Sequence, residues 1–375
     1  MQALRWVFRV LFGLPRTAKR LLAGRPIWVD EQELDLDLQL LGRVDRLLAS
    51  NDGGTVDRAT IAEQRRQADL AADLVADALL AHIETRDLEV PGDAGPLPAR
   101  LYVPPAVPDT TSLIVYFHGG GFVMGSVAST DPLCRLLAAQ SGVRVLSVEY
   151  RLAPEHPYPA ALEDALSAFR AVRADAAEFG AQPDLVAVGG DSAGANLALV
   201  VAHQQAVLGG PVPAFVLALY PVTDVERVGG SRELFATGFG LTADLLSELE
   251  RMYLPDGVPT DDTRGAILRA RDLSGMPPVY LATAGFDPLR DEGEELAARL
   301  RDAGVPVVAR RFPGLVHGYA SFTALSAAAR DATLDAASAL RAGLGLVAGR
   351  RQARGRRLRI PELRPAARSD PLAGG

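Results

Sequence analysis

The sequence predicts an α/β fold, a mostly parallel central sheet flanked by helices, and three observations predict it. From Leu113 onward, short apolar segments alternate with helical runs, the rhythm of βαβ units. In Val186 to Ala198, VAVGGDSAGANLA, a buried-strand pattern passes through a Gly-flanked serine into an apolar helical stretch. His118-Gly119-Gly120-Gly121 follows directly on the apolar run Leu113 to Phe117.

Composition bounds the rest. With 375 residues, 48% hydrophobic and 23% charged, the chain can build one large domain with additions. Its single cysteine, Cys134, excludes an internal disulfide and a thiol-rich metal site. It falls in an expected helix, Pro132 to Gln140, as a buried spectator, and such sparse cysteine usage fits a reducing, cytoplasmic setting. The net charge of -7 is uneven: residues 1–29 carry +6 with no acid, residues 349–368 carry +7, and the remainder sums to -20.

In chain order, residues 1–33 read as a basic N-terminal extension. Met1 to Gly24 permits an amphipathic helix broken near Gly13-Leu14-Pro15. It falls short of the roughly 20 apolar residues a membrane span needs, and Arg9 cuts it too early for a secretory segment. Two readings stand: a basic helix giving peripheral membrane contact, or a helix packed on its own domain or left as a loose end.

Residues 34–85 read as a helical cap region, with apolar helical periodicity over Leu34 to Leu48 and Ile61 to Ile83, separated by a polar turn at Ser50 to Gly54. The main domain spans 86–345. Strands are expected at Arg86 to Val90, Leu97 to Val103, Leu113 to Phe117, Arg144 to Val148, Leu185 to Val188, Ala214 to Leu219, Val279 to Thr283 and Val307 to Phe312. Helices are expected at Ala160 to Ala176, Ala193 to Val207 and Glu292 to Ala303. A segment near 225–270, helical over Leu241 to Tyr253, breaks the rhythm and reads as an insertion forming a lid. Ser321 to Leu344 closes the domain as a helix. Residues 346–375 form an Arg-rich tail without apolar periodicity, disordered from Gly349 onward. It lacks aromatic residues to stack on bases and the body is acidic, so no nucleic-acid partner is expected.

Gly190-Asp191-Ser192-Ala193-Gly194 has the G-x-S-x-G pattern of a nucleophile elbow, whose glycines permit a turn sharp enough to expose the serine oxygen at a sheet edge. About 0.1 such matches arise by chance in a chain of this composition, so the strand-turn-helix setting carries the argument. The glycines after His118 let backbone N–H groups approach a developing oxyanion, and Gly120, Gly121 and Ala193 are the expected donors. His118 is read as holding that loop in shape.

A serine hydroxyl needs a base oriented by a third group. Around an elbow of this kind the partners follow in the order serine, acid, histidine. His82, His118 and His156 precede Ser192, and His203 lies inside the following helix, which leaves His317 in Phe312 to Gly318. Asp287, just past the strand Val279 to Thr283, is the preferred acid, with Asp224 its rival and Asp291 an ordinary helix-start residue.

These segments resemble the bacterial branch of the hormone-sensitive lipase-like esterases, serine carboxylesterases of the α/β-hydrolase fold. HGGGFVMGS at 118–126, YRLAPEHPYPAALEDA at 150–165, GDSAGANLA at 190–198, DPLRDEG at 287–293 and PGLVHGY at 313–319 follow that family's order and spacing. The resemblance covers about 86–345, with 34–85 as the cap, and leaves the first thirty residues and the tail outside. It implies a Ser192, Asp287, His317 triad and an oxyanion hole of Gly120, Gly121 and Ala193. Glu149 stands where relatives often have aspartate. Arg151 to Tyr158 is read as structural, with His156 a loop anchor.

The expected activity is metal- and cofactor-independent hydrolysis of short- to medium-chain carboxylic esters of small molecules through an acyl-enzyme. The competing readings are an amidase or deacetylase, and a ligand-binding homologue without catalysis. The family's receptor-like members lack a working triad histidine, so His317 speaks against the last of these.

Overall fold

A computed structural model of the chain describes residues 2–48, 56, 58–74, 80, 82–105, 107–108, 111–254, 262 and 264–357. The N-terminal elements are α1 (Gln2–Phe12), α2 (Arg16–Ala23), the short antiparallel pair β1 (Trp28–Val29) and β2 (Gln32–Glu33), α3 (Leu36–Leu48) and α4 (Ile61–Leu74). Phe12 and Ala23 pack with Leu36 and Leu40 of α3, so α1 and α2 rest on their own domain. The expected polar turn at Ser50 to Gly54 and most of Ile61 to Ile83 beyond Leu74 lie outside the described residues.

The main sheet comprises β3 (Glu84–Val90), β4 (Leu97–Val103), β5 (Thr111–Phe117), β6 (Arg144–Val148), β7 (Ala181–Asp191), β8 (Val216–Leu219), β9 (Val279–Phe286) and β10 (Val307–Val316). Across the sheet they run β10-β9-β8-β7-β5-β6-β4-β3. From β10 to β6 all pairs are parallel, while β4 joins β6, and β3 joins β4, antiparallel. Near-continuous apolar runs suit central strands covered on both faces. Leu113, Val115 and Phe117 of β5 enter one core, with α6 (Ala160–Ala174), α7 (Ala193–Val207) and α10 (Arg290–Asp302). Ile114 and Tyr116 alternate into the other, with α5 (Asp131–Ser141) and α11 (Ala327–Arg357). The apolar α7 is buried on nearly every side, as a helix without a polar face must be. Between β8 and β9 lie α8 (Ser231–Leu234) and α9 (Ala243–Tyr253).

Several boundaries move, each for a local reason. Strands β7, β9 and β10 run on to Asp191, Phe286 and Val316, so each ends directly before a residue of chemical interest. Pro313 is accommodated in β10 because that strand is a sheet edge and the register shifts between Phe312 and Val316. The closing helix starts at Ala327, where the Ser326 Oγ accepts the Ala329 N–H as an N-cap. It continues to Arg357, through part of the segment expected to be disordered, because Arg, Ala and Gln are good helix formers. The tail from 358 to 375 lies outside the described residues.

Candidate active site

Ser192, Asp287 and His317 each follow immediately on the last residue of a parallel strand, β7, β9 and β10 respectively. That edge, where parallel strands end at their carboxyl ends, is where α/β sheets place ligands. The three side chains meet there. His317 Nε2 lies 2.9 Å from Ser192 Oγ, and His317 Nδ1 lies 2.8 Å from Asp287 Oδ2. Asp287 is fully buried, and its other oxygen accepts the Leu289 N–H at 2.8 Å, which fixes the carboxylate plane.

Ser192 has φ 54° and ψ -118°, a sparsely populated positive-φ conformation that costs an L-residue on the order of 1–3 kcal/mol. Surrounding bonds hold it. Its N–H donates to Leu219 O at 2.9 Å, and its carbonyl accepts the Asn196 N–H at 3.1 Å. Glycine is required on both sides: a Cβ at Gly194 would sit 1.9 Å from Phe117 O, and one at Gly190 would sit 2.3 Å from the Gly194 carbonyl carbon. The elbow can therefore press against β5 only without side chains. Helix α7 begins at Ala193, so its N-terminal dipole, equivalent to roughly half a positive charge, faces the serine.

The loop after β5 carries Gly120 and Gly121. Gly120 and Gly121 have φ 118° and 63°, and a Cβ at Gly121 would meet Leu249 of α9 at 2.6 Å. Among the described residues the N–H groups of Gly120, Gly121 and Ala193 have no backbone acceptor, which leaves them available to an incoming oxygen. His118 is fully buried, stacks on Tyr150 at 4.3 Å, and holds Gly119 O at 2.8 Å from its Nδ1. It makes no contact with Ser192, so its position suits loop shaping.

The remaining candidates are engaged elsewhere. Asp224 accepts from Arg269 at 3.0 Å and has no contact with His317. Asp291 is taken up by the Ser231 N–H and the Arg290 Nε. His203 is buried on α7 with its Nε2 3.0 Å from Asp272 O, and His156 is exposed in its loop. Cys134 is fully buried, and burial pushes its thiol pKa up, which suppresses the thiolate.

Four supports escaped the sequence. Tyr220 sets its ring edge-on to His317 at 5.0 Å. Buried Asp191 accepts from Tyr116 Oη at 2.9 Å and from the Gly119 N–H at 3.1 Å, tying the elbow to the glycine loop, while burial raises its carboxyl pKa. Tyr150 donates to His118 O at 2.7 Å. The fourth is the β1–β2 hairpin. Its turn residues Asp30 and Glu31 both have positive φ, 53° and 61°, the two-residue turn geometry that usually selects Asn-Gly. Asp30 Oδ2 accepts from Arg290 Nη1 at 2.7 Å, and the same nitrogen reaches Gly285 O at 3.3 Å. The Asp35 N–H donates to Gly314 O at 2.8 Å. One N-terminal segment thus braces the loops carrying both Asp287 and His317. A lone aspartate at the turn, Asp30, was too weak a signal to mark it in the sequence.

Residues 114–321 match the family model described as the alpha/beta hydrolase fold. The chain is 42% identical over 346 residues to carboxylic ester hydrolase LipN of Mycobacterium tuberculosis, covering 90% of this chain and 91% of that protein. It is 38% identical over 296 residues to carboxylesterase NlhH of the same species, covering 78% and 90%. A solved hyperthermophilic esterase from the archaeon Pyrobaculum calidifontis superposes with TM-score 0.75 and 35% identity over 81% of this chain and 97% of that one. The chain belongs to the α/β-hydrolase fold family, in its hormone-sensitive lipase-like esterase branch.

Proposed function

We propose that the chain is a serine carboxylesterase that hydrolyses short- to medium-chain carboxylic esters through an acyl-enzyme on Ser192. The observation that carries this reading is the relay from Ser192 Oγ to His317 Nε2 at 2.9 Å and from His317 Nδ1 to Asp287 Oδ2 at 2.8 Å. A carboxylate can only accept, so Asp287 selects the tautomer with its proton on Nδ1 and leaves Nε2 free to take the serine proton. As Oγ attacks the ester carbonyl, that proton moves to Nε2 and the imidazolium forms against the buried carboxylate. The oxyanion takes hydrogen bonds from Gly120, Gly121 and Ala193, each typically worth about 2.7–4 kcal/mol of transition-state stabilisation. His317 then protonates the leaving alkoxide. Water repeats the cycle on the acyl-enzyme, releasing acid and free Ser192.

In this reading the helical regions at 34–85 and near 225–270 form the cap over the acyl pocket. Supporting contacts run from both to the glycine loop: Arg65 of α4 donates to Val123 O at 2.8 Å, and Leu249 of α9 lies against Gly121. The buried Phe122 and Tyr253 rings stack at 3.8 Å, tying the glycine loop to α9. The sparse cysteine usage supports a cytoplasmic setting.

The test is turnover of p-nitrophenyl esters of graded acyl length by wild type, Ser192→Ala and His317→Ala. The expected result is a maximum at short or medium chains and a loss of several orders of magnitude in both variants. A folded wild type inert on every ester would overturn the proposal.

A further inference from the structure

Helix α2 is built inside out. Two of its three charged side chains turn inward, Lys19 to Asp37 and Arg20 to Glu33 and Gln39, while Arg16, Leu21 and Leu22 are exposed, the two leucines with 85% and 45% of their surface. Helix α1 adds to this. Phe8, Leu11 and Phe12 pack toward α3, yet Trp6, Val7 and Val10 on the remaining face are exposed. Trp28 on β1 is 62% exposed and Trp6 65%. An aqueous surface gains nothing from presenting two tryptophans and two leucines, and such concentrations mark contact sites.

The charges around these residues indicate what covers them. Residues 1–29 carry six basic side chains and no acid, although residues 30–348 are strongly acidic. Arg9, Arg16 and Arg25 are exposed and make no ion pair among the described residues. Exposed tryptophan and leucine beside unpaired arginine is the chemistry of an interfacial helix: the rings and leucines enter the headgroup boundary, and the guanidinium groups meet lipid phosphates. Among the described residues no helix is long and apolar enough to cross a membrane, so the contact is peripheral.

We propose that the outer faces of α1 and α2, together with Trp28, form a docking surface for an anionic lipid bilayer. This inference is independent of the catalytic reading. It gives the enzyme access to esters dissolved in, or derived from, a membrane, while the inward pairs of Lys19 and Arg20 keep the surface attached to the domain.

The chain contains two tryptophans, and both lie on this surface, so intrinsic fluorescence reads the contact directly. The full-length protein is mixed with vesicles of phosphatidylglycerol and phosphatidylcholine, or of phosphatidylcholine alone. The expected result is sedimentation with the anionic vesicles, a blue shift of tryptophan emission, and quenching by brominated acyl chains. Trp6→Ser combined with Leu21→Ser keeps every arginine and should weaken that binding about tenfold or more, with hydrolysis of a soluble ester unchanged. Sedimentation without a blue shift would assign binding to the basic C-terminal segment and overturn the proposal. So would equal binding to pure phosphatidylcholine, absence of binding at low salt, or a blue shift that grows with protein concentration without vesicles, which would make the occupant a second copy of the chain. The wild-type fluorescence and quenching decide the matter even if the double variant fails to fold.

Discussion

Gly194→Ala is a one-methyl change whose consequence follows from a distance. The added Cβ would lie 1.9 Å from Phe117 O and 2.5 Å from both Phe117 C and His118 O, against an ordinary contact of at least 3.4 Å. All three atoms are backbone of the β5 strand end and its glycine loop, so no side chain can swing away. The first turn of α7 must retreat by about 1.5 Å, carrying the Ala193 N–H and Ser192 with it, and the 2.9 Å contact to His317 opens beyond hydrogen-bond reach. A misplacement of about 1 Å at reacting atoms costs on the order of 100-fold, or about 2.7 kcal/mol of barrier. Overpacking adds roughly 1–3 kcal/mol of lost stability. The assay is kcat and KM on a soluble p-nitrophenyl ester beside a thermal melt, with Gly42→Ala as control. Gly42 lies in α3 with nothing within 4 Å of its added Cβ, so that variant should keep full kcat and gain up to about 1 kcal/mol. A Gly194→Ala enzyme with kcat within about threefold of wild type and an unchanged melt would refute the argument that close backbone packing fixes the elbow.

Three further outcomes follow from named contacts. Asp287→Asn should lower kcat by roughly 10³–10⁴ by favouring the wrong histidine tautomer, while Asp224→Asn, bound to Arg269 away from the site, should change it less than about tenfold. Arg290→Met removes the link from Asp30 to Gly285 O and should reduce kcat about tenfold with KM little changed, because the loop carrying Asp287 loosens without altering the pocket. Burial pushes the Glu292 carboxyl from its ordinary 4.5 up to about 7, against the opposing pull of Arg232 and the Thr223 and Asp224 amides. The folded chain then holds this proton where the unfolded chain has released it. Stability therefore falls as pH rises from about 4.5 to about 7, by on the order of 3 kcal/mol, and levels off above. Melting curves across that window should show a steeper decline in wild type than in Glu292→Gln.

What the sequence made legible was local. The strand-turn-helix around Ser192 and the glycine run after His118 are written in consecutive residues, because a sharp turn and a close backbone approach each demand glycine at fixed offsets. His317 and Asp287 needed chain order as well, and the strands that deliver them run farther than periodicity indicated because buried neighbours on both faces sustain them. The β1–β2 hairpin was illegible: two-residue strands leave no alternation to detect, and Asp30-Glu31 lacks the Asn-Gly signature of its turn. The contact from Arg290 to Asp30 holds that turn instead. Tyr220 was likewise invisible, since its place beside His317 exists only once β8 and β10 are in register with β9. The helix beyond Leu344 shows propensity outlasting periodicity: the sequence there has no apolar repeat, yet its Arg and Ala residues favour helix.

The most direct test of the account is stoichiometric labelling with a p-nitrophenyl alkylphosphonate, which a serine nucleophile attacks at phosphorus with loss of nitrophenolate. The account predicts about one equivalent of nitrophenolate per chain, complete loss of esterase activity, and the phosphonyl mass on the peptide containing Ser192, with no label in Ser192→Ala. Inactivation with the label on another residue, or undiminished ester hydrolysis by Ser192→Ala, would contradict it.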